Sequence, residues 1–199
     1  MKQQILLIHG GDTFNSNEEY LEFLQDFPID LERMRPGVSW KQDLEKNLGE
    51  QFTVFQPKMP NASNAKYSEW KLWFEKVLAL LNENIILIGH SLGGIFLAKY
   101  LAQNPSPKKI QALILIAAPA KDDLEPIASF ALPPSLEAVT KQAKNIYIFH
   151  SADDEVVPVS HLAEYEKLLP TAQVKIFANH GHFNQEEFPE LVELIQSLS

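Results

Sequence analysis

Residues 85–94 read Ile-Ile-Leu-Ile-Gly-His-Ser-Leu-Gly-Gly, an apolar run that ends in a Gly-x-Ser-x-Gly pattern. Four consecutive Ile and Leu residues are typical of a parallel strand that is buried on both faces. The apolar residues that follow recur at helical spacing as far as Asn104. Strand, tight turn and helix in this order are the context of a nucleophile elbow, where a serine hydroxyl is exposed at the tip of the turn. The segment therefore predicts Ser91 as a nucleophile for acyl transfer.

The composition of the chain narrows its class. The 199 residues are 45% hydrophobic and 22% charged, which predicts one globular domain over residues 1–199. The formal charge of −9 repels phosphate backbones, so we expect no nucleic-acid partner. The chain has no cysteine, which excludes disulfides and fits a cytoplasmic location. A membrane-spanning helix needs roughly 18 apolar residues, and no apolar run in the sequence approaches that length. We therefore expect no membrane-spanning segment.

Apolar runs and helical patterns alternate along the chain. This alternation predicts an α/β fold with about six mostly parallel strands and helices on both faces of the sheet. The predicted strands are residues 5–8, 52–55, 85–88, 112–117, 146–149 and 174–177. The predicted helices are residues 40–48, 70–81, 160–169 and 186–198, together with the one that follows Ser91.

Two stretches, residues 12–38 and 118–138, interrupt the alternation. Both follow the carboxyl ends of predicted strands, which is the edge of an open parallel sheet where ligands bind. The first contains one helical pattern, and the second contains four prolines among apolar residues. We interpret both as substrate-covering inserts. The alternative is that each stretch only packs against the core.

A serine nucleophile needs a base, and the base needs an acid that orients it. In hydrolases with this elbow the acid follows the serine along the chain and precedes the histidine. Asp154 is the predicted acid, because Asp-x-x-Val-Pro places its carboxylate in a loop before the next helix. Asp153 is the alternative, and Glu155 is interpreted as a solvated loop residue. Asp122 and Asp123 are more remote alternatives.

The base is expected within His180-Gly181-His182. His182 is predicted, because Gly181 permits a tight turn that can place the following ring over Ser91. His180 is expected to support that loop. The two histidines could also bind a metal with a nearby aspartate, but no third histidine or Glu-rich helix favours this, so no metal is expected.

An oxyanion hole requires two backbone N–H donors. Leu92, the residue after the nucleophile, is predicted to supply one, and Gly11 in the turn after the first strand is predicted to supply the other. The alternative for His9-Gly10-Gly11 is a plain strand-to-helix turn. The stretch also resembles the start of a dinucleotide fingerprint, but Gly-x-Gly-x-x-Gly is absent, which disfavours a dinucleotide-binding enzyme.

The remaining histidines are not assigned to the site. His90 is expected to pack or hydrogen-bond locally within the elbow. His150, at the end of a predicted strand, is expected to be buried structure. His161, near the start of a predicted helix, is expected to be exposed.

Four motifs, at residues 8–11, 89–94, 154–158 and 181–183, resemble those of an α/β-hydrolase. The short length is similar to that of the small serine hydrolases of the YdeN and retinoblastoma-binding-protein type, although residues 12–38 are longer than expected for that type. The resemblance implies a three-layer fold without a cofactor, and it implies Ser91, Asp154 and His182 as a triad with Gly11 and Leu92 as oxyanion donors.

The activity implied is hydrolysis of a carboxylic ester, or of an amide or thioester, through an acyl-enzyme, with a small-molecule acyl substrate. Two alternatives remain at this point. One is a catalytically inactive pseudo-hydrolase that acts as a binding or scaffold protein, because a fold does not dictate function. The other is a peptidase or acyltransferase that uses the same triad. The sequence does not indicate an oligomeric state.

Overall fold

Parallel strands form the centre of the computed structural model, which describes residues 2–31, 37–123 and 126–198. The described residues contain one six-stranded sheet in the order β2-β1-β3-β4-β5-β6, and each neighbouring pair is parallel. The strands are β1 (Gln3–Ile8), β2 (Phe52–Phe55), β3 (Ile85–His90), β4 (Ile110–Ile116), β5 (Ile146–Ser151) and β6 (Gln173–Phe177). All six predicted strands are therefore confirmed.

Helices connect the strands. They are α1 (Asn17–Asp26), α2 (Trp40–Leu48), α3 (Tyr67–Leu80), α4 (Leu92–Gln103), α5 (Glu137–Gln142), α6 (Leu162–Leu168) and α7 (Pro189–Ser197). The predicted helix over residues 186–198 begins three residues later than expected. Proline has no N–H to donate and its ring fixes a helical φ, so Pro189 is suited to the first helical position. The other predicted helices lie within a few residues of their predicted bounds.

The sheet divides the core into two apolar layers. Side chains alternate along each strand, so that Leu6 packs into one layer while Leu7 packs into the other. The first layer holds α3 and α4, whose rings of Phe74 and Phe96 meet edge to face with centroids 5.3 Å apart. The second holds α2 and α7, with buried residues that include Trp40. The chain therefore has the predicted three-layer α/β architecture.

Helix α1, in the first interrupting stretch, stands apart from the core. Helix α1 begins after the cap Ser16, whose hydroxyl accepts the N–H of Glu19, and it has no buried residue. Leu21 and Leu24 on this helix are exposed. Thr13, near the start of the same stretch, is buried, and its hydroxyl donates to the Ala65 carbonyl at 3.0 Å. Residues 32–36 lie outside the described residues.

The second interrupting stretch does pack. Phe130 is fully buried, and its ring meets Trp70 with centroids 5.2 Å apart. Ile127 is buried nearby and its N–H donates to Asp122 Oδ1 at 2.9 Å. Residues 124–125 lie outside the described residues.

Within residues 2–31, 37–123 and 126–198, every helix is too short or too polar to span a membrane.

Candidate active site

Ser91 occupies a strained turn between β3 and α4. Its φ of 54° and ψ of −125° lie outside the regions that L-residues usually adopt. The turn is held by the Ser91 N–H, which donates to the Ile116 carbonyl on β4 at 2.8 Å. The Gly94 N–H donates to the Ser91 carbonyl, also at 2.8 Å. These bonds fix the serine at the carboxyl edge of the sheet, as predicted for a nucleophile elbow.

The glycines of the motif allow backbones to approach closely. A Cβ added to Gly93 would lie 2.3 Å from the Ile8 carbonyl oxygen on β1. A Cβ added to Gly89 would lie 2.4 Å from the Gly93 carbonyl oxygen. Both neighbours are backbone atoms that cannot rotate away. The turn consequently requires glycine at both positions.

The Ser91 side chain opens into a cavity of about 450 Å³. The cavity lies where β1, β3, β5 and β6 end, and its lining includes Gly11, Leu92 and His182. Within the described part of the chain, Ser91 Oγ makes no hydrogen bond. Catalytic hydrogen bonds to a base are often long or poorly aligned before substrate binds.

His182 and Asp154 meet beside this cavity. Asp154 lies three residues beyond the end of β5, and His182 lies in the loop after β6. His182 Nδ1 lies 2.9 Å from Asp154 Oδ2 and 3.1 Å from Oδ1. The carboxylate is buried, and its Oδ1 also accepts the N–H groups of Val156 and Val157 at 2.9 Å. A donor at Nδ1 leaves the lone pair of the imidazole on Nε2.

The neighbouring carboxylates face other groups. Asp153 Oδ1 accepts the Ser151 hydroxyl at 2.5 Å and the Gly181 N–H at 2.9 Å. The Ser151 hydrogen bond, more than any other contact, lowers the pKa of Asp153. Glu155 is exposed. Asp153 therefore holds the loop that carries His182, while Asp154 contacts the imidazole itself.

The two remote carboxylates stay within the stretch that follows β4. Asp122 accepts the Ile127 N–H, and Asp123 faces His161. Neither of them contacts His182 in the part of the chain that the structure describes.

His180 is turned away from His182. Its Nε2 lies 3.7 Å from Glu190 Oε1, and its ring lies 4.2 Å from the Phe177 ring, centroid to centroid. Gly181 between the two histidines has a φ of 48°, the left-handed turn that the sequence predicted. Among residues 2–31, 37–123 and 126–198, no three His, Asp or Glu side chains converge as a metal site would require.

The two predicted oxyanion donors line the cavity with Ser91. Leu92 is the first residue of α4, so the helix itself does not use its N–H. Gly11 lies against a crossing segment, because a Cβ there would be 2.5 Å from the Ala62 carbonyl oxygen. The same carbonyl accepts the Asp12 N–H at 2.8 Å, which holds the turn after β1 in place.

His90 makes a long-range contact where a local one was expected. Its Nε2–H donates to the His182 carbonyl at 2.8 Å, and its Nδ1 lies 3.1 Å from Lys41 Nζ. Burial, followed by the charge of Lys41, moves the pKa of His90 well below its usual value. The imidazole is therefore neutral, with Nδ1 as acceptor and Nε2 as donor.

Lys41 lines the cavity but was not predicted as a site residue. Its place depends on how α2 packs, since Trp40 Nε1 donates to the Phe183 carbonyl at 2.8 Å. No sequence signal distinguishes Lys41 from Lys46, the other lysine of α2. Only the tertiary contact between this helix and the His182 loop brings its side chain to the site.

The expectation that His161 is exposed was wrong. This residue is 2% exposed, and its Nδ1 accepts the Ala120 N–H at 3.0 Å. The turn before α6 folds inward, so that His161 lines the cavity under the stretch that follows β4. His150 is buried, as expected, and burial lowers its pKa to about 4.

Comparisons with known proteins agree with this architecture. A family model described as serine hydrolase matches residues 34–197. Serine hydrolase RBBP9 of Rattus norvegicus is 32% identical over 166 residues, which cover 80% of this chain and 86% of that protein. Putative hydrolase YdeN of Bacillus subtilis is 25% identical over 193 residues, which cover 94% and 89%.

The crystal structure of the ydeN gene product from B. subtilis has the same fold, with a TM-score of 0.73 at 20% identity. The match covers 99% of this chain and 98% of that one. The resemblance seen in the sequence is thus confirmed: the chain belongs to the serine hydrolase family and is a hydrolase of the α/β fold, of the YdeN and RBBP9 type.

Proposed function

We propose that this protein hydrolyses carboxylic esters through an acyl-enzyme on Ser91. The observation that carries the proposal is the His182–Asp154 pair, with Nδ1 and Oδ2 2.9 Å apart, beside the cavity that Ser91 lines. A carboxylate at Nδ1 holds the imidazole in the tautomer whose Nε2 can accept a proton. Nucleophile, base and acid come from the ends of β3, β6 and β5, so the sheet supports all three.

The first half of the reaction forms the acyl-enzyme. His182 Nε2 takes the proton of Ser91 Oγ as the oxygen attacks the carbonyl carbon of the ester. The N–H groups of Gly11 and Leu92 donate to the oxyanion, and each such donor contributes about 10²–10³ in kcat. The tetrahedral intermediate then expels the alcohol, which takes the proton from His182.

The second half releases the acid. A water molecule gives a proton to His182 Nε2 and attacks the acyl carbon, and the serine oxygen leaves with that proton. Asp154 stabilises the imidazolium in both halves, and its bonds from Val156 and Val157 keep the carboxylate in place. Amides and thioesters can follow the same steps.

The cavity is suited to a small acyl substrate. About 450 Å³ is within the usual range for small-molecule sites. Pro119, Pro126 and Ile127 supply an apolar wall from the stretch after β4, and Asp12 and Thr13 supply part of the opposite rim. We therefore keep the interpretation of both interrupting stretches as substrate-covering elements. A cytoplasmic location also remains our proposal.

A fluorophosphonate probe tests the nucleophile. We expect wild-type protein to be labelled and Ser91→Ala to lose the label completely, because the probe reacts only with an activated serine. Ser63→Ala, at an exposed serine outside the cavity, should be labelled like wild type. Labelling is read by intact-protein mass spectrometry.

Three results would contradict the proposal. Equal labelling of Ser91→Ala and wild type would show that another serine reacts. No labelling and no hydrolysis of p-nitrophenyl esters by wild type would favour the pseudo-hydrolase alternative. Transfer of the acyl group to an alcohol or amine in place of water would identify an acyltransferase.

A further inference from the structure

Among the described residues that line the cavity of Ser91, Lys41 is the one lysine or arginine. Lys41 lies in the first turn of α2, and its Nζ is 3.1 Å from Nδ1 of His90, the residue before the nucleophile. A Cβ placed on Gly10 would be 3.6 Å from the same Nδ1 and 3.5 Å from Ser91 Oγ. His90 Nδ1, which Lys41 Nζ contacts, and Ser91 Oγ therefore lie near the same point beside Gly10, and Lys41 and Ser91 line the same cavity.

Among the residues that the structure describes, the ammonium of Lys41 has no anionic partner. Its one polar side-chain contact within the described residues is His90 Nδ1, which is a neutral acceptor. No Asp or Glu of the described residues forms an ion pair with it. Asp12 also lines the cavity, but its carboxylate is not in ion-pair contact with Lys41.

The position of Lys41 adds to the local positive charge. The N-terminal turn of a helix carries a partial positive charge from its unpaired N–H groups, and a lysine there is electrostatically unfavourable. Burial also disfavours the charged form and lowers the pKa of Lys41 to about 8. The helix N-terminus and burial both disfavour a positive charge on Lys41. The amine is nevertheless largely protonated at neutral pH, and it lines the cavity where substrate is proposed to bind.

We propose that Lys41 binds a carboxylate of the substrate, so that this protein prefers esters that carry a free carboxylate. The inference rests on the proposed esterase function and narrows its substrate class. An incoming carboxylate supplies the counter-charge that the described residues do not provide. Because a charge-assisted hydrogen bond in a partly desolvated cavity is strong, it can offset the cost of holding the ammonium there.

A purely structural role for Lys41 makes a different prediction. Holding His90 requires only a donor near Nδ1, which a neutral side chain can supply. In that case the loss of Lys41 affects every substrate by the same factor. The two roles are therefore separated by the ratio of two kcat/KM values, one for an anionic ester and one for its neutral analogue.

The test uses matched substrates. The first pair is the p-nitrophenyl monoester of adipic acid and the same ester with its free carboxylate capped as a methyl amide. The second pair places the charge on the alcohol: the butanoate esters of para-(hydroxymethyl)benzoic acid and of its amide. Wild type, Lys41→Met, Lys41→Arg and Lys41→Gln are compared, and Lys71→Met on the surface of α3 is the matched control.

We expect wild type to favour the anionic member of at least one pair. Lys41→Met should reduce that ratio by about 10- to 100-fold, mainly through KM, as the loss of a hydrogen bond to a charged group does. Lys41→Arg should retain most of the ratio, and Lys41→Gln should not restore it although it can still donate to His90. Lys71→Met should leave the ratio unchanged.

A ratio that Lys41→Met leaves unchanged in both pairs would overturn the inference, and so would a wild-type ratio near one in both. Hydrolysis of the neutral esters by wild type shows that the proposed function itself holds.

A second measurement does not depend on turnover: calorimetric binding of adipate to Ser91→Ala should weaken about 10-fold or more when Lys41→Met is added. Equal affinities would contradict the inference.

Discussion

At the scale of single residues, two adjacent aspartates have different roles at the His182 loop: one contacts the imidazole and the other holds the backbone of the loop. Asp154 points inward to the imidazole and accepts two backbone N–H groups. Asp153 points outward and holds Gly181 through its N–H and Ser151 through its hydroxyl. Sequence order narrowed the acid to this loop, and the Asp-x-x-Val-Pro spacing favoured Asp154. The direction of each side chain then distinguishes the aspartate that meets His182.

Asparagine substitutions test this division. Asp154→Asn should lower kcat/KM for an ester by about 10⁴-fold, because a neutral amide neither stabilises the imidazolium nor enforces the tautomer with the proton on Nδ1. Asp153→Asn should have a much smaller effect, and exposed Glu155→Gln should have none. Steady-state kinetics and near-UV circular dichroism of each variant provide the measurement and the folding control. A larger loss in Asp153→Asn than in Asp154→Asn would reverse the assignment.

At the scale of elements, the strand β3, the turn at Ser91 and helix α4 form one rigid unit. Every residue of β3 is buried, and α4 packs back on the sheet through Gly93. The predicted bounds of these elements were close to the observed ones. A short, continuous run of Ile and Leu is typical of a strand buried on both faces of a parallel sheet, as β3 is. The motif likewise restricted the conformation of the turn between them.

Contacts between elements were harder to predict. Periodicity identified α2 as a helix with Trp40 on its buried face, but not that this helix packs beside the His182 loop. Lys41, His90 and His161 were therefore missed or misjudged as parts of the cavity. Their positions depend on packing between segments that are distant in the sequence. Local sequence patterns do not predict which of these segments come into contact.

A glycine substitution tests the close approach of α4 to β1. Gly93→Ala should destabilise the protein by about 3 kcal/mol, since its Cβ would overlap the Ile8 carbonyl oxygen and force the helix or the strand to move. The same movement should displace Ser91 and abolish probe labelling. Urea denaturation measures the free energy of unfolding.

Gly37→Ala is the matched control for that experiment. A Cβ on Gly37 meets nothing within 4 Å, so the free energy of unfolding should change by less than about 0.5 kcal/mol. A Gly93→Ala variant with the stability and labelling of the Gly37→Ala control would show that the approach is not as close as described.

At the scale of the whole molecule, the fold gathers several histidines around the carboxyl edge of the sheet. His90, His150 and His161 are all buried there, and burial is the main cause that lowers the pKa of each. Each is therefore neutral in the folded protein at a pH where it is charged in the unfolded chain. The arrangement that forms the cavity also makes the protein sensitive to acid.

The sign of that sensitivity follows from His150. Its pKa is about 4 in the folded protein and about 6.5 in an unfolded chain, so between these values the unfolded state binds more protons. The free energy of unfolding must then decrease as the pH falls from 6.5 towards 4, by about 2 kcal/mol between pH 7 and pH 5 from this residue alone.

His150→Leu, which has a similar volume and no charge, should therefore lose about 2 kcal/mol less than wild type between pH 7 and pH 5. Urea denaturation at the two pH values gives the two differences. Ser63→Ala, which removes no titratable group, should lose as much as wild type. Because His90 and His161 still contribute, some loss should persist in His150→Leu. Equal losses in His150→Leu and wild type would mean that His150 is protonated alike in the folded and unfolded states.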